Sequence, residues 1–424
     1  MAPARNEAEE EESSDEDDDE MEVTKNEAGE DGEEEECTDL SNSDVCTKYR
    51  EASTIVNMAL KEVISKCVVG TSVLELCKFG ASIIDASASK LYTKKKSDGK
   101  MVEKGVAFPV CVSVNDIICN LSPLASEELE PLKAGDIVKL DLGCHIDGYI
   151  AVAAHTLIVS EDPAGGEPTP ESVDPSMGNV AVAAYTAMLA AAASITAGAS
   201  NVSVTEAVKR VADAYGVRAL ASVRMHQMKR FVIDGVKEVA LREPTAEELE
   251  AGEEKASPCT FEQGEVYAVD VAMSTGEGRP RPSNLRTTVF RRNAEANYRL
   301  KIKNSRALLS EVDKRFPALP FTLADFDDER GARMGVTECL AHGLLTPYPV
   351  LHEQRDAYVA HFKCTVLLLP SGSVRVTGLE LPTYFKTDKT PDEETAKLLA
   401  EVEELAAKKA KKKASKKKKK KAAA

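Results

Sequence analysis

The sequence contains no Cys-x-x-Cys pair, although it has ten cysteines in 424 residues. This spacing argues against the paired ligands of a zinc ribbon and against the redox pair of a thioredoxin. A basic and then apolar leader for secretion is not expected either, because residues 1–44 are strongly acidic. We therefore expect reduced, mostly buried thiols in an intracellular protein.

The sequence also lacks a long run of leucine, isoleucine, phenylalanine and valine, the residues that a bilayer span prefers. The nearest candidate is Asn179–Ala199, but this run consists mostly of alanine, serine and threonine and includes Tyr185. Small residues of this kind favour a closely packed helix in a protein core. We expect a buried helix here and no contact with a membrane.

The net charge of −17 hides two ends of opposite sign. Residues 1–44 hold 21 acidic side chains against two basic ones, and residues 408–424 hold 11 lysines and no acid. Segments of this composition cannot support a core, so we expect disordered tails around a folded domain of residues 45–386. Segment 387–424 should begin with a helix capped at Thr390, with Leu398, Val402 and Leu405 along one face.

Hydrophobic periodicity predicts an α/β domain. Helices are expected over 48–67 and 179–214, and strands over 136–142, 148–159, 265–273, 285–290 and 362–369. The segment 160–177 is rich in proline, glycine and glutamate, which is typical of a connector between two halves.

A short repeat relates these two halves. Residues 135–142 read GDIVKLDL and residues 264–271 read GEVYAVDV, so Asp141 and Asp270 occupy the same position of each copy. Both carboxylates fall within an otherwise apolar strand, and a buried carboxylate needs a cation, a metal or hydrogen-bond donors. The repeat therefore marks both aspartates as candidate site residues. His145 and His155, which flank a strand, are interpreted as structural.

Five segments, in order, resemble the type II methionine aminopeptidases of peptidase family M24. They are AFP at 107–109, GDIVKLDLGCHIDGYIAVAAHT at 135–156, MHQMKRFVIDG at 225–235, YAVDVAMSTG at 267–276 and YVAHFKCTVLLLP at 358–370. The long insert at about 278–357 marks the type II branch, and the whole pattern, with its lysine-rich C-terminal tail, is most similar to the proliferation-associated, ErbB-receptor-binding group of that branch. The resemblance implies the α/β (α+β) pita-bread fold, with two pseudo-twofold halves and a helical insert.

In the active enzymes of this family, two aspartates, one histidine and two glutamates hold two metals, and a second histidine assists catalysis. The resemblance places the ligand roles on Asp141, Val152, His226, Asp270 and Lys363, and the catalytic histidine on Asn120. A further family histidine corresponds to Asp234. Valine has no lone pair and the lysine ammonium only donates, so this set cannot assemble a two-metal centre. We expect no metal, no other cofactor and no peptidase activity.

Lys363 is expected to neutralise Asp141 or Asp270, which would turn a metal site into a buried ion pair. A single metal on the two aspartates and His226 is the alternative. His226 is otherwise interpreted as a hydrogen-bonded interior histidine.

Without catalysis, the basic segments point to a binding function. The insert carries nine cations within 28 residues, namely Arg279, Arg281, Arg286, Arg291, Arg292, Arg299, Lys301, Lys303 and Arg306. The tail adds Lys408, Lys409, Lys411, Lys412, Lys413, Lys416, Lys417, Lys418, Lys419, Lys420 and Lys421. Such clusters favour phosphate backbones. The resemblance implies binding to ribosomal RNA and the large ribosomal subunit, in ribosome biogenesis and translation control.

Other interpretations stay open. A solvated insert surface and a merely solubilising tail would need no RNA. The old pocket would also suit a scaffold that holds peptide termini without cleaving them, and an active metal-dependent methionine aminopeptidase is the third possibility. Other RNAs and regulatory proteins are further candidate partners, and the acidic tail would screen the basic face if it folded over it. We expect a monomer in the cytoplasm and the nucleus or nucleolus.

Overall fold

A computed structural model of the protein describes residues 38–96, 99–162, 166–250 and 252–404. The helices are α1 Ser43–Ile64, α2 Val73–Ala88, α3 Pro175–Ser194, α4 Asn201–Tyr215, α5 Ala246–Glu250, α6 Lys303–Arg315, α7 Glu329–Ala341 and α8, residues 393–404. The strands are β1 Lys104–Val114, β2 Ile117–Cys119, β3 Ile137–Ile146, β4 Tyr149–Ile158, β5 Arg218–Ala219, β6 Arg224–Met228, β7 Glu238–Ala240, β8 Val266–Ser274, β9 Arg281–Pro282, β10 Val289–Arg292, β11 Phe321–Thr322, β12 Leu345–Tyr348, β13 Leu351–His352, β14 Val359–Leu369 and β15 Gly372–Arg375. The acidic segment up to residue 37 and the tail lysines lie outside the described residues.

A nine-stranded antiparallel sheet forms the centre of the domain, along the path β1-β3-β4-β14-β8-β6-β7, with β15 beside β14 and β5 beside β8. The sequence repeat has a structural counterpart, because β3 is the middle strand of one half and β8 is the middle strand of the other. Each is preceded by a glycine with positive φ, Gly135 at 83° and Gly264 at 94°, which other residues adopt only with strain. Asp141 and Asp270 therefore reach equivalent positions.

The two halves meet between β4 and β14. Among the described residues, Lys363 opposite Ala154 is the one backbone pairing between these strands. Side chains supply further bonds, since Thr365 Oγ1 accepts from the Val152 N–H at 2.9 Å and donates to the Val152 carbonyl at 3.0 Å. The strands thus stay close on one side and leave a pit between the halves on the other.

Two pairs of helices cover the sheet. α1 and α2 pack on β1, β3 and β4 through an apolar cluster that includes Val138, Leu140 and Leu142. α3 packs on β8 and β14 through a second cluster, and α4 packs on α3 and on the edge strands β5 and β7. Every residue of β3 and β4 is buried, so these strands read as nearly continuous apolar runs. The expected buried thiols are confirmed within the described residues, where nine cysteines are free and seven of them are buried.

Helix α3 has the length and mean hydropathy, 1.3, of a membrane span, but 61% of that window is buried inside the protein. The expectation of a packed interior helix is confirmed. The predicted helical stretch 179–214 is in fact two helices, α3 and α4. They are separated at 195–200, where Gly198 has a φ of 89° that no helix accepts.

The insert forms a small unit of its own around α6, α7 and the three-stranded sheet β11-β10-β12. Phe290, Phe321 and Val312 are fully buried in its core. The strand expected over 285–290 is β10, which begins four residues later at Val289 because 283–288 follows an irregular path. A second three-stranded sheet, β2-β13-β9, links the insert to the pit.

Packing extends beyond both expected domain boundaries. Leu40 is buried ahead of residue 45, and α1 starts at Ser43 with Asn42 as its cap. After Lys386, Thr387 Oγ1 donates to Asn179 Oδ1 at 2.9 Å, which holds the chain against α3.

The cap expected at Thr390 was wrong. Asp392 Oδ1 accepts from the backbone N–H groups of Glu394 and Thr395, each at 3.1 Å, and thereby starts α8. The expected apolar stripe is also incomplete, since Leu398 packs on the core while Val402 is 41% exposed. Leu405 lies outside the described residues.

Candidate functional site: a lysine-centred pit

Lys363 lies at the centre of the pit, on β14 between the two halves. Its Nζ is 2.6 Å from Asp141 Oδ2 on β3 and 2.8 Å from Asp270 Oδ2 on β8. The ring of Phe108 lies 5.4 Å from the ammonium, within the range of a cation–π contact. Lys363 is 9% exposed and Asp141 is 4% exposed, so the ion pair is shielded from solvent. The structure contains the ion pair that we expected, and it extends to both aspartates.

His361 is a pit residue that sequence reasoning missed. Its Nε2 lies 2.5 Å from Asp270 Oδ1, and its backbone is fixed by reciprocal 2.8 Å bonds with Thr156 Oγ1. Its spacing from Lys363 could have indicated a place in the pit. Residues two apart on a strand face the same side, and His361 precedes Lys363 by two.

The environments of the two aspartates differ. Burial favours a higher pKa for Asp270, but Lys363 and His361 hold it at about 2. Burial raises the pKa of Asp141 by more than Lys363 lowers it. The physical reason is bonding: both oxygens of Asp270 have partners, whereas Asp141 Oδ1 is buried without a hydrogen-bond partner. Burial would lower the pKa of Lys363, but the two carboxylates together raise it above its usual value.

The pit brings together ligand atoms at distances suited to a metal site, but its side chains cannot coordinate two metals. Ligand atoms of Asp141, Asp270 and His361 lie within 4.8 Å of one another. Lys363 bonds to both carboxylates, so the space between them holds an ammonium, which cannot share that place with a dication. The single-metal alternative with His226 is corrected, since His361 and not His226 completes this cluster among the described residues.

The other expected residues line the same cavity of about 170 Å³. Val152 presents an aliphatic side chain there, and Asn120, with a φ of 65°, donates from Nδ2 to the Pro349 carbonyl at 3.0 Å. Asp234 accepts a hydrogen bond from the Tyr348 hydroxyl at the cavity wall. The expectation that His226 is hydrogen-bonded fails for one atom, because its Nδ1 is buried without a partner.

The structure divides the nine insert cations into three groups. Five have carboxylate partners: Arg279 with Glu247, Arg281 with Glu277, Arg286 with Glu127, Arg291 with Asp234 and Arg292 with Asp313. Arg306 donates to the carbonyls of Leu300 and Lys301. Within the described residues, the side chains of Arg299, Lys301 and Lys303 have neither ion pairs nor hydrogen bonds. The unpaired part of the expected local positive face is therefore a smaller patch, because carboxylates pair with five of the cations and backbone carbonyls hold Arg306.

The comparisons with known proteins agree with this geometry. The model of metallopeptidase family M24 matches residues 47–279, and the chain belongs to this family. It is 42% identical to "Proliferation-associated protein A" of Dictyostelium discoideum over 82% of this chain and 85% of the relative. It is 41% identical to "ERBB-3 BINDING PROTEIN 1" of Solanum tuberosum, over 87% of this chain and 90% of the relative. It is also 34% identical to "Curved DNA-binding protein" of Schizosaccharomyces pombe, over 85% of this chain and 91% of the relative. The expected family and group are confirmed.

Solved structures confirm the expected pita-bread fold. A structure of a thermophilic Arx1 matches with a TM-score of 0.73 and 28% identity, covering 84% of this chain and 98% of that one. The methionine aminopeptidase of Thermotoga maritima matches with a TM-score of 0.51 and 15% identity, covering 81% of this chain and 100% of that one. This second likeness concerns the fold alone.

Proposed function

We propose that this protein is a catalytically inactive M24 homologue that binds RNA and the large ribosomal subunit, in ribosome biogenesis and translation control. The observation that carries the loss of catalysis is the Lys363 ammonium, bonded at 2.6 and 2.8 Å to the two aspartates that stand at metal-ligand positions of the family. Two-metal hydrolysis requires cations that polarise the carbonyl and activate water. A donor-only ammonium provides neither coordination nor hydroxide.

An aminopeptidase assay tests the loss of catalysis. Purified protein with Mn²⁺ or Co²⁺ should leave a peptide with N-terminal methionine uncleaved, and metal analysis after dialysis should find no stoichiometric ion. Turnover that disappears in Asp270→Asn would instead support the metal-dependent aminopeptidase.

The RNA proposal is supported by charge that the fold leaves available. Arg299, Lys301 and Lys303 are exposed and unpaired in the described part of the insert, and 11 lysines follow at 408–424. Unpaired cations release counterions when they meet phosphates, whereas an arginine already bonded to a carboxylate gains less. The S. pombe relative is named "Curved DNA-binding protein", and this name describes binding to a nucleic acid.

Co-sedimentation with purified large ribosomal subunits over a salt series tests the RNA proposal. The full chain should bind. A chain ending at Glu404 and the variant Arg299→Glu/Lys301→Glu/Lys303→Glu should each bind more weakly, with a shallower dependence on salt. The matched control is Arg279→Glu/Arg281→Glu/Arg286→Glu, which reverses the same number of charges at ion-paired positions and should have less effect. Failure of the full chain to bind at low salt would refute the proposal.

A second candidate function is the capture of peptide termini in the pit. The observation that favours it is the pair of buried atoms without hydrogen-bond partners, Asp141 Oδ1 and His226 Nδ1, beside the 170 Å³ cavity. An amino terminus would supply donors to the carboxylate. Calorimetry should show that a short peptide with a free amino terminus binds more tightly than its acetylated form. Equal affinity of the two peptides would eliminate this candidate.

We further propose that the protein is a monomer, located in the cytoplasm and in the nucleus or nucleolus, with other RNAs and regulatory proteins as additional partners. The support for nuclear targeting is the lysine-rich tail. Light scattering would test the monomer, and imaging of the chain that ends at Glu404 would test the tail.

A further inference from the structure

The patch of unpaired cations on the insert contains an aromatic stack. The rings of Tyr298 and His342 lie face to face, with centroids 3.5 Å apart and planes 14° from parallel. Tyr298 is half-buried against the insert core, which fixes its orientation. His342 ends helix α7 and is exposed. Tyr298 therefore covers one face of the His342 ring, and the His342 side chain is still exposed to solvent.

The unpaired cations adjoin this stack in the chain. Arg299, Lys301 and Lys303 follow Tyr298 directly in the chain, and all three are exposed. An acid in contact with this segment is Glu338, which is 9% exposed and accepts from the backbone N–H groups of Lys301 and Ile302 at 2.8 and 3.0 Å. Its carboxylate thus caps the start of α6 and does not bond to any of these cationic side chains.

An apolar side chain is exposed at the same place. Ile302 lies between the two lysines, serves as the N-cap residue of α6 and is 50% exposed. The patch therefore offers a flat aromatic face, an aliphatic contact and three cations. Phosphate binding alone would require only the cations.

We propose that the Tyr298–His342 stack is a platform for an unpaired base of single-stranded nucleic acid, with the flanking phosphates on Arg299, Lys301 and Lys303. The proposal rests on the proposed nucleic-acid binding and specifies the form of the ligand. A base in a duplex is stacked on its neighbours and cannot stack on a protein ring, whereas an unpaired base can. Cations close to a ring hold the phosphates on either side of such a base.

Fluorescence anisotropy with a labelled short oligouridylate tests the platform in the full chain. The oligonucleotide should bind more tightly than the same strand annealed to its complement. His342→Ala should weaken binding of the single strand by roughly five- to a hundredfold, the usual effect of losing one base–aromatic stack. His342→Phe should restore most of the affinity, because it keeps a ring at this position. Thr337→Ala, at an exposed position of the same helix, is the control for a general effect on α7 and should bind normally.

The cations give a second measurement. Arg299→Ala should reduce the slope of log affinity against log salt by about 0.7, the value for one phosphate contact on a single strand. Arg281→Ala should leave the slope unchanged, because that guanidinium is 3.0 Å from Glu277. A deoxy strand separates two forms of the site: equal affinity supports stacking alone, and preference for RNA supports stacking with an additional contact to the ribose hydroxyl.

Two results would overturn the platform. The first is normal single-strand binding by His342→Ala, and the second is equal affinity of wild type for single strand and duplex. If either occurs while ribosomal subunits still co-sediment, the platform is wrong and the proposed function stands. If neither oligonucleotides nor subunits bind at low salt, both are wrong.

Discussion

Lys363 is buried between two aspartates, and among the described residues no other lysine or arginine lies within bonding distance of either carboxylate, while His361 also bonds to Asp270. Removing one partner of a buried ion pair leaves an uncompensated charge, which is more costly than the pair itself is stabilising. We predict that Lys363→Ala lowers the free energy of unfolding by about 3–5 kcal/mol. Chemical denaturation at neutral pH would measure the change.

A matched control keeps this prediction specific. Lys314→Ala removes a lysine from an exposed position of α6 and should change stability by less than about 0.5 kcal/mol. Lys363→Met combined with Asp141→Asn and Asp270→Asn, which removes all three charges, should recover much of the loss. A loss below about 1 kcal/mol in Lys363→Ala would show that the ion pair does not stabilise the fold.

His155 tests how burial couples stability to pH. It is 3% exposed on β4, its Nδ1 has no hydrogen-bond partner, and burial lowers its pKa to about 4. The folded state therefore resists protonation that the unfolded state accepts below about pH 6.5. Stability should fall as the pH drops from about 6.5 to about 4, by about 3 kcal/mol in total.

We predict that His155→Leu, which has a similar volume and no polar atom, is neutral or stabilising at pH 7 and removes this part of the acid sensitivity. Thermal unfolding at pH 8 and pH 5 would measure it. The advantage of the variant over wild type should be larger at pH 5, and an equal difference at both pH values would contradict the prediction.

At this scale, the ion pair of the pit could be predicted from the sequence, but the pairing of the insert arginines could not. Asp141 and Asp270 were identified because a repeat places them in apolar strands, and Lys363 because it replaces a ligand in a recognisable segment. Most partners of the insert arginines were not predictable, because acids such as Glu127 and Glu247 come from distant segments. Only a fold brings these charges together.

At the scale of elements, the contact between α3 and the segment after Phe385 depends on one glycine. A Cβ at Gly178 would clash with the carbonyl oxygen of Lys386. We predict that Gly178→Ala destabilises the domain by about 1–3 kcal/mol, as overpacking usually does, or detaches the segment that leads to α8. Hydrogen exchange across 386–404, together with the melting temperature, would distinguish these results.

The control for this prediction is a second background, a truncated chain that ends at Phe385 and therefore lacks the carbonyl of Lys386. In that background Gly178→Ala should cost little, since alanine is otherwise favoured over glycine in a helix. The same cost in both backgrounds would mean that the clash is not the cause.

Element types followed from periodicity more reliably than element ends did. The strands around both aspartates were predicted because apolar runs with β-branched residues mark buried strands. The break between α3 and α4 was missed because alanine-rich sequence continues through it, and the positive φ of Gly198 appears only in the fold. The cap of α8 was assigned to Thr390 instead of Asp392 because several residues there are suitable caps.

At the scale of the whole molecule, the family motifs predicted the overall fold and the position of the pit. They did not predict how the halves are joined. In the described residues, β4 and β14 share a single backbone pairing. Threonine side chains therefore supply hydrogen bonds that a regular strand ladder would make between backbone groups. Threonine is common in strands and gives no sign in the sequence that it acts between two of them.

This joint yields the last prediction. Thr365 is fully buried and bonds to both the N–H and the carbonyl of Val152, while Thr377 Oγ1 donates to the same carbonyl at 2.6 Å. Thr365→Val keeps the shape but leaves the Val152 N–H without an acceptor, which should cost about 1–3 kcal/mol. The Val152 amide should also exchange faster with solvent, because β4 and β14 separate more readily.

Urea denaturation and amide exchange would measure both effects, with Thr54→Val as control, since its hydroxyl bonds within α1 at the surface. Faster exchange confined to β4 and β14 would show that the halves open at this joint while each keeps its own core. Normal exchange at Val152 in Thr365→Val would show instead that packing of the two helical layers, and not these hydrogen bonds, holds the halves together.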